Sequence, residues 1–416
     1  MNETIKHRIE QIKRGEVPNG YKKSKLGVLP GDWTSMTVGE CLEKVEKPVA
    51  VEPDKLYTQI GIRSHGKGLF YKEPVSGESL GNKSVFWVEP DCFVLNIVFA
   101  WEQAIGKTTE NEIGMIGSHR FPMFRPIDNR VYIDYLISYL LTKRGTDILE
   151  FASPGGAGRN RTLGQDRFLN SKIILPTIDE QKKIAEILAT QDKVIALKEK
   201  LLEEKKKQKK YLMQQLLTGK KRLPGFTDRY FAQKMKTIIR ETSFRSNDGI
   251  NRNVMSVSNV KGFVSQTEQF DKIVASNDTS NYKIVKYGTF AYNPSRINVG
   301  SLALYKGNQE IIVSPMYSTF IALGNINMDY LLYWFKSFGF TSQLKKYLSG
   351  SVRNSLSISD LLLFDIRLPY IEEQNAIVEV LSNADKEISI IQKSIDQEKQ
   401  KKKALMQLLL TGIVRV

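Results

Sequence analysis

The sequence predicts an α+β protein: two tandem α/β domains separated by two long antiparallel helices that form a coiled coil, the whole pseudo-twofold. Three observations carry this reading. The chain repeats itself at a shift of 193 residues, Leu175-Pro176 falling on Leu368-Pro369 and the register holding without a gap to Arg222 on Arg415. The repeated stretch has heptad-like apolar spacing. The segments between the repeats hold short runs rich in aromatic and β-branched residues, bounded by Gly, Asn and Asp, which read as strands.

The repeat is dense. Glu180-Gln181 meets Glu373-Gln374, Asp192-Lys193 meets Asp385-Lys386, Leu212-Met213-Gln214 meets Leu405-Met406-Gln407, and Leu216-Leu217-Thr218-Gly219 meets Leu409-Leu410-Thr411-Gly412. About half of the aligned pairs are identical, so the chain is a tandem duplication. Upstream the match is fainter: Arg159-Asn160 aligns with Arg353-Asn354 after one added residue, Asp134-Tyr135-Leu136 with Asp329-Tyr330-Leu331, and Asn96 with Asn293. In each copy one part kept its sequence and the other drifted.

Residues 1–25 form an N-terminal arm, with Ile5, Ile9 and Ile12 among charges. Residues 26–176 are the first domain, with strands at Ser84–Val88 and Cys92–Leu95 and one helix near 132–149. Residues 177–221 are the central helix. It follows Pro176, carries Asp179-Glu180 where the helix dipole favours negative charge, and stops at Gly219. Residues 222–369 are the second domain, with strands at Thr289–Tyr292 and Glu310–Val313 and one helix near 327–347. Residues 370–416 are the C-terminal helix. The helical seam runs Leu188, Ile195, Leu202, Leu216 in the first copy and Leu381, Ile388, Ile395, Leu409 in the second. Neither helix is apolar enough to be buried all round, so each is expected to cover the other.

The formal net charge is +16, which points to a polyanionic partner, most often nucleic acid. Ten Lys or Arg and three Glu lie between 198 and 222; such a run ordinarily marks a solvated face. Two cysteines, Cys41 and Cys92, cannot build a disulfide framework, and three dispersed histidines make a zinc site unexpected. No signal peptide and no membrane-length apolar window is seen, so a cytoplasmic protein without a membrane partner is expected.

The drifted domains carry loops suited to duplex DNA. The candidate contacts are Arg63, His65 and Lys67 in one Gly-rich loop; Asn259 and Lys261 in its possible counterpart; Asn96, Asn293, Ser295, Arg296 and Asn298; and Arg159, Asn160, Arg161, Arg353 and Asn354. Arg suits guanine edges and Asn adenine edges, while Lys and Ser mostly hold phosphate. Catalytic and metal-ligating constellations are not expected. Asn293-Pro294-Ser295-Arg296 lacks the second Pro and the aromatic of an adenine-methyltransferase motif and reads as a turn. Gly155-Gly156-Ala157-Gly158 has no Gly-Lys-Ser/Thr partner and reads as a loop.

The duplicated Arg-Asn, Leu-Pro-x-Ile-Glu-Gln-x-x-Ile and Leu-Leu-Thr-Gly elements, with the basic heptad helices and two variable domains, resemble the specificity subunit of type I restriction–modification enzymes. So do Lys13-Arg14-Gly15-Glu16-Val17-Pro18 and Leu29-Pro30-x-x-Trp33. The resemblance implies two target-recognition domains, each reading half of a bipartite DNA sequence, with the coiled coil fixing the gap. It implies double-stranded DNA, two modification (methyltransferase) subunits and two restriction subunits as partners. S-adenosylmethionine, ATP and Mg belong to those partners, and this chain binds no cofactor of its own. The competing readings are a coiled-coil scaffold or RNA-binding protein without duplex recognition, and a self-sufficient enzyme.

Overall fold

The computed structural model describes residues 3–24, 27–155, 161–248, 250, 252–259, 261–265, 278–349 and 355–416. The chain forms two compact units, Met1–Lys198 with Ser394–Val416, and Glu199–Lys393. The division therefore falls inside both long helices, and each unit owns one end of each. The sequence reading had set helices and domains apart; the helix ends in fact complete the domain cores.

Both units are built on the same antiparallel four-stranded sheet. In the first its order is Ile105–Lys107, Phe93–Leu95, Met123–Pro126, Leu42–Val45; in the second it is Leu302–Leu304, Thr289–Tyr292, Ser318–Ala322, Ile239–Glu241. Registers agree as well: Phe93 pairs with Phe124 and Phe290 with Phe320. All four rings are buried, and Phe290 stacks on Phe320 with centroids 4.9 Å apart. The predicted strands are present at Val85–Trp87, Phe93–Leu95, Thr289–Tyr292 and Ile311–Val313.

Where one helix was expected near 132–149 and another near 327–347, each stretch holds two: Ile133–Leu140 and Lys143–Ala152, then Met328–Phe335 and Phe338–Ser349. The first break falls at Thr142, whose hydroxyl accepts the Gly145 N–H at 3.2 Å and caps the next helix. The chain there is so tight that a Cβ on Gly145 would lie 2.2 Å from Leu140 Cα.

The central helix spans Ile178–Leu216 and the C-terminal helix Ile371–Leu409, 39 residues each and about 58 Å long at 1.5 Å per residue. They run antiparallel inside each unit. In the first, Ile184 and Leu188 share a core with Leu405 and Leu409; further along, Gln191 donates to Glu398 at 2.8 Å and Lys198 reaches Ser394 at 2.7 Å. In the second, Lys205 pairs with Glu387 at 2.7 Å and Lys209 with Asp385, while Leu212 and Leu216 meet Ile377 and Leu381. Every residue of the predicted seam is buried except Ile388, which is half-buried. Part of the lysine run thus pairs across the helices rather than facing only water.

A glutamate in the first turn of each long helix is clamped by an arginine a few residues past the end of the other. Arg222 holds Glu373 through a fork whose Nε bond is 2.7 Å. Arg415 holds Glu180 at 2.6 and 2.9 Å and Asp32 at 2.9 and 2.6 Å. The arginine keeps the Asp32 carboxyl below the usual carboxylate range. Trp33, buried, donates to Glu180 at 3.1 Å. Next to each clamp a glutamine closes a second bridge, accepting from Tyr132 N at 2.8 Å (Gln181) and from Asn327 N at 3.0 Å (Gln374). The N-terminal arm, helical over Glu3–Lys13, donates from Arg8 to Ile413 O at 3.0 Å, and Tyr21 donates to Gly412 O at 2.7 Å.

Candidate nucleic-acid interface

One edge of the main sheet in each unit carries a turn that the sequence alignment anticipates only at its first residue. After Phe93–Leu95, Asn96 starts a tight turn that passes through Ala100–Glu102 and returns at Ile105; after Thr289–Tyr292, Asn293 starts the same turn through Ile297–Val299, returning at Leu302. The Asn96 side-chain oxygen accepts Val98 N at 3.1 Å and its carbonyl accepts Phe99 N at 3.0 Å. The Asn293 side-chain oxygen accepts Ser295 N at 3.0 Å and its carbonyl accepts Arg296 N at 3.0 Å. This is the Asx turn that asparagine forms readily. Both turns end on a left-handed residue, Gln103 with φ 60 and Gly300 with φ 90.

Two further segments converge on this turn. Leu163 N donates to Ile97 O at 2.8 Å, as Leu356 N donates to Pro294 O at 3.0 Å. A hairpin lies alongside. In the first unit it is Ile60–Ile62 with Leu69–Tyr71, in the second Asn253–Ser258 with Gly262–Ser265. A Cβ at Gly106 would lie 3.3 Å from Leu69, and one at Gly262 would lie 3.7 Å from Ala303; Gly106 and Ala303 are equivalent in the repeat. The hairpins are therefore counterparts.

The predicted contact residues distribute over these segments. Arg63, His65 and Lys67 are exposed on the first hairpin tip, and Asn259 and Lys261 on the second. Arg63 is partly committed: it donates to Leu69 O at 2.7 Å and lies 5.1 Å over the Phe70 ring. His65 sits at φ 62, its amide donating to Glu102 O at 2.8 Å, while Ser64 donates to the Glu102 carboxylate at 2.9 Å, so the hairpin tip is latched to the turn. Arg161 lies 5.3 Å over the Trp101 ring. Ser295, Arg296 and Asn298 are exposed on the second turn. Asn96 and Asn293 are corrections. Both are 8 % exposed, with the side-chain oxygen used inside the turn, so they shape the loop instead of facing a ligand. Arg159, Asn160, Arg353 and Asn354 lie outside the described residues. Extending the Asn96–Asn293 alignment sets Phe99 and Trp101, which the sequence reading did not single out, opposite Arg296 and Asn298.

A groove opens in each unit between the recognition-domain helices and a long helix. The first, about 1110 Å³, is lined by Leu141, Ile148, Phe151, Lys402, Met406 and Leu410. The second, about 550 Å³, has Lys209, Met213, Lys336 and Phe338. Lys402 and Met406 are the repeat equivalents of Lys209 and Met213. Phe151 and Phe338 are 72 % and 68 % exposed. Among the described residues, no group of three or more His, Cys, Asp or Glu is placed to hold a metal, and no helix is long and apolar enough to cross a membrane.

A model of the family described as the type I restriction modification DNA specificity domain matches residues 85–207 and again 231–399, once in each half and over most of the chain. The chain belongs to this family. The type I specificity family supplies the DNA-recognition, non-catalytic subunit of its enzymes, and the scaffold, RNA-binding and self-sufficient-enzyme readings are not favoured. The chain is 24 % identical to the type I restriction enzyme MjaVIII specificity subunit of Methanocaldococcus jannaschii, over 93 % of this chain and 94 % of that one. Its fold is similar to the HsdS subunit of Thermoanaerobacter tengcongensis, with a TM-score of 0.53 at 17 % identity over 93 % of this chain and 98 % of that one. It is also similar, at TM-score 0.59 and 17 % identity over 93 % and 99 %, to a chain solved to explain complex assembly and conformational transition of the type I R-M system.

Proposed function

We propose that this specificity subunit reads a bipartite duplex target, one half-site by each unit, in the cytoplasm, and holds the enzyme's other subunits on its helices. The observation that carries this is the duplicated frame: two units with one sheet, one hairpin and one Asn-anchored turn apiece, tied to two helices of equal length. The two frames hold different side chains, so the half-sites should differ in sequence. Lys67, Lys261 and the hairpin tips would supply phosphate contacts and salt dependence; turn residues would supply discrimination. Continuous paired helices would fix a constant number of unread base pairs, near one helical turn between half-site centres.

Two modification subunits, carrying S-adenosylmethionine, and two restriction subunits, using ATP and Mg, are the partners that the family reading brings. The paired grooves, with an apolar floor, a lysine rim and an exposed phenylalanine in each unit, support a twofold docking of one kind of subunit. The neighbour whose structure concerns assembly of a type I system supports it further.

The test is selection from a random duplex pool by the chain bound to its modification subunit. Enrichment of two unlike half-sites at a constant gap is expected. No motif, or preference for single-stranded RNA, would defeat the reading. The purified chain alone should neither methylate nor cut DNA.

A further inference from the structure

The turn started by Asn96 and Asn293 keeps its backbone in both units but not its tip. Besides the Asx bonds, Ala104 N donates to Phe99 O at 3.1 Å as Ser301 N does to Arg296 O at 3.1 Å, and Gln103 N to Ala100 O at 2.7 Å as Gly300 N does to Ile297 O at 3.0 Å. The inward position stays apolar and buried, as Ala100 or Ile297. The outward positions have diverged: Val98 stands against Ser295, Phe99 against Arg296, Trp101 against Asn298. A backbone held constant while its outward side chains change is how a rigid scaffold carries variable recognition.

Resting on the bipartite reading above, we propose that this turn is the specificity-determining element of each unit, Ile97–Gln103 reading one half-site and Pro294–Gly300 the other. Arg296 and Asn298, both exposed, bring the guanidinium fork that matches the guanine O6/N7 edge and the carboxamide that matches the adenine N6/N7 edge. The first turn has neither group at these positions. Val98 and Phe99, the latter 39 % exposed, offer apolar contact of the kind a thymine methyl group makes. Trp101 holds the Arg161 guanidinium 5.3 Å over its ring, which orients that cation before any ligand arrives. The second turn therefore selects purine edges by hydrogen bonding, and the first selects a thymine-bearing step. The Glu102 latch to the hairpin at His65 and Ser64 keeps the first turn rigid.

The experiment is random-duplex selection with the chain in complex with its modification subunit, run on the unaltered protein and on Arg296→Lys, Asn298→Ala, Phe99→Ala and Trp101→Ala. Arg296→Lys keeps the charge and removes the planar fork, so its effect is not one of charge loss. Each variant is expected to lose roughly five- to a hundredfold of discrimination at one or two base pairs of a single half-site, with the other half-site and the gap unchanged as an internal control of folding. Discrimination that survives in all four variants overturns the proposal, as does uniform weakening over all sequences, which would make the turn a phosphate contact. Failure of the unaltered complex to select any bipartite motif would instead sink the functional reading itself. If one variant fails to fold, both half-sites disappear together, and the variant in the other unit still decides.

Discussion

Arg222→Ala should destabilise the second unit by about 3–5 kcal/mol, the range for removing one partner of a buried ion pair. The reasoning starts from Glu373, whose side chain is 2 % exposed and whose two oxygens are both taken by the Arg222 fork. Alanine leaves that carboxylate desolvated and unpaired in the first turn of the C-terminal helix. The helix dipole returns only about 0.3–1 kcal/mol. The loss of the guanidinium from over the Tyr230 ring, 4.8 Å away, adds to the deficit. The repeat supplies a control. In an Asp32→Ala background, which removes the second ion pair of Arg415, Arg415→Ala strips Glu180 in the same way, yet Glu180 keeps the Trp33 indole bond at 3.1 Å, so its unit should lose about 1 kcal/mol less, the worth of one hydrogen bond. Native-state amide exchange followed by mass spectrometry reads each unit through its own peptides, for instance 289–304 and 93–107. Adding Glu373→Gln to Arg222→Ala should recover part of the loss, since a neutral amide is cheaper to bury. A cost below about 1 kcal/mol for Arg222→Ala, or an equal cost in both units, would refute the argument that desolvation of a single-partner carboxylate dominates.

Three other outcomes are expected. Leu381→Ala, at a position with no exposed surface, should cost about 2–5 kcal/mol by denaturant titration, whereas Leu197→Ala, 58 % exposed, should stay within about 0.5 kcal/mol. Burial pushes the Cys41 thiol up to about 11 and raises Cys92 as well; both should resist iodoacetamide in the native protein at neutral pH and react on unfolding, and rapid native labelling would contradict the burial. Inserting four residues within 198–210, about one helical turn, with a matching insertion in the partner helix, should change the gap between half-sites and leave the half-sites themselves intact; an altered half-site with the old gap would count against the helices as a spacer.

The long helices were legible because their determinants are local and repeated: a proline stop, acidic first turn, heptad apolar spacing and terminal glycine recur in both copies. The four strands read from composition lie within a residue or so of their places. The helix break at Thr142 was missed because apolar periodicity runs through it, while one hydroxyl and one close glycine contact decide it. Sheet order was out of reach, since pairings such as Asn253 with Ile311, a parallel contact, depend on distant chain segments. Residue type singled out Asn96 and Asn293 for a base edge, but asparagine suits a base edge and an Asx turn equally well; burial separates the two. Phe99 and Trp101, proposed above as reading residues, carry no sequence signal of such a role, because aromatic residues in a basic protein read as core.

The division of the chain has a consequence for how the protein is made. The second unit is one uninterrupted stretch, Glu199–Lys393, whereas the first needs Ser394–Val416 to finish its core, where Leu409 and Leu410 are buried. On the ribosome, the later-made unit can therefore close while the earlier one waits for the last turns of helix to emerge. A nascent chain that stops before Leu409 lacks those two leucines from the core of its first unit, while every residue of its second unit is already made.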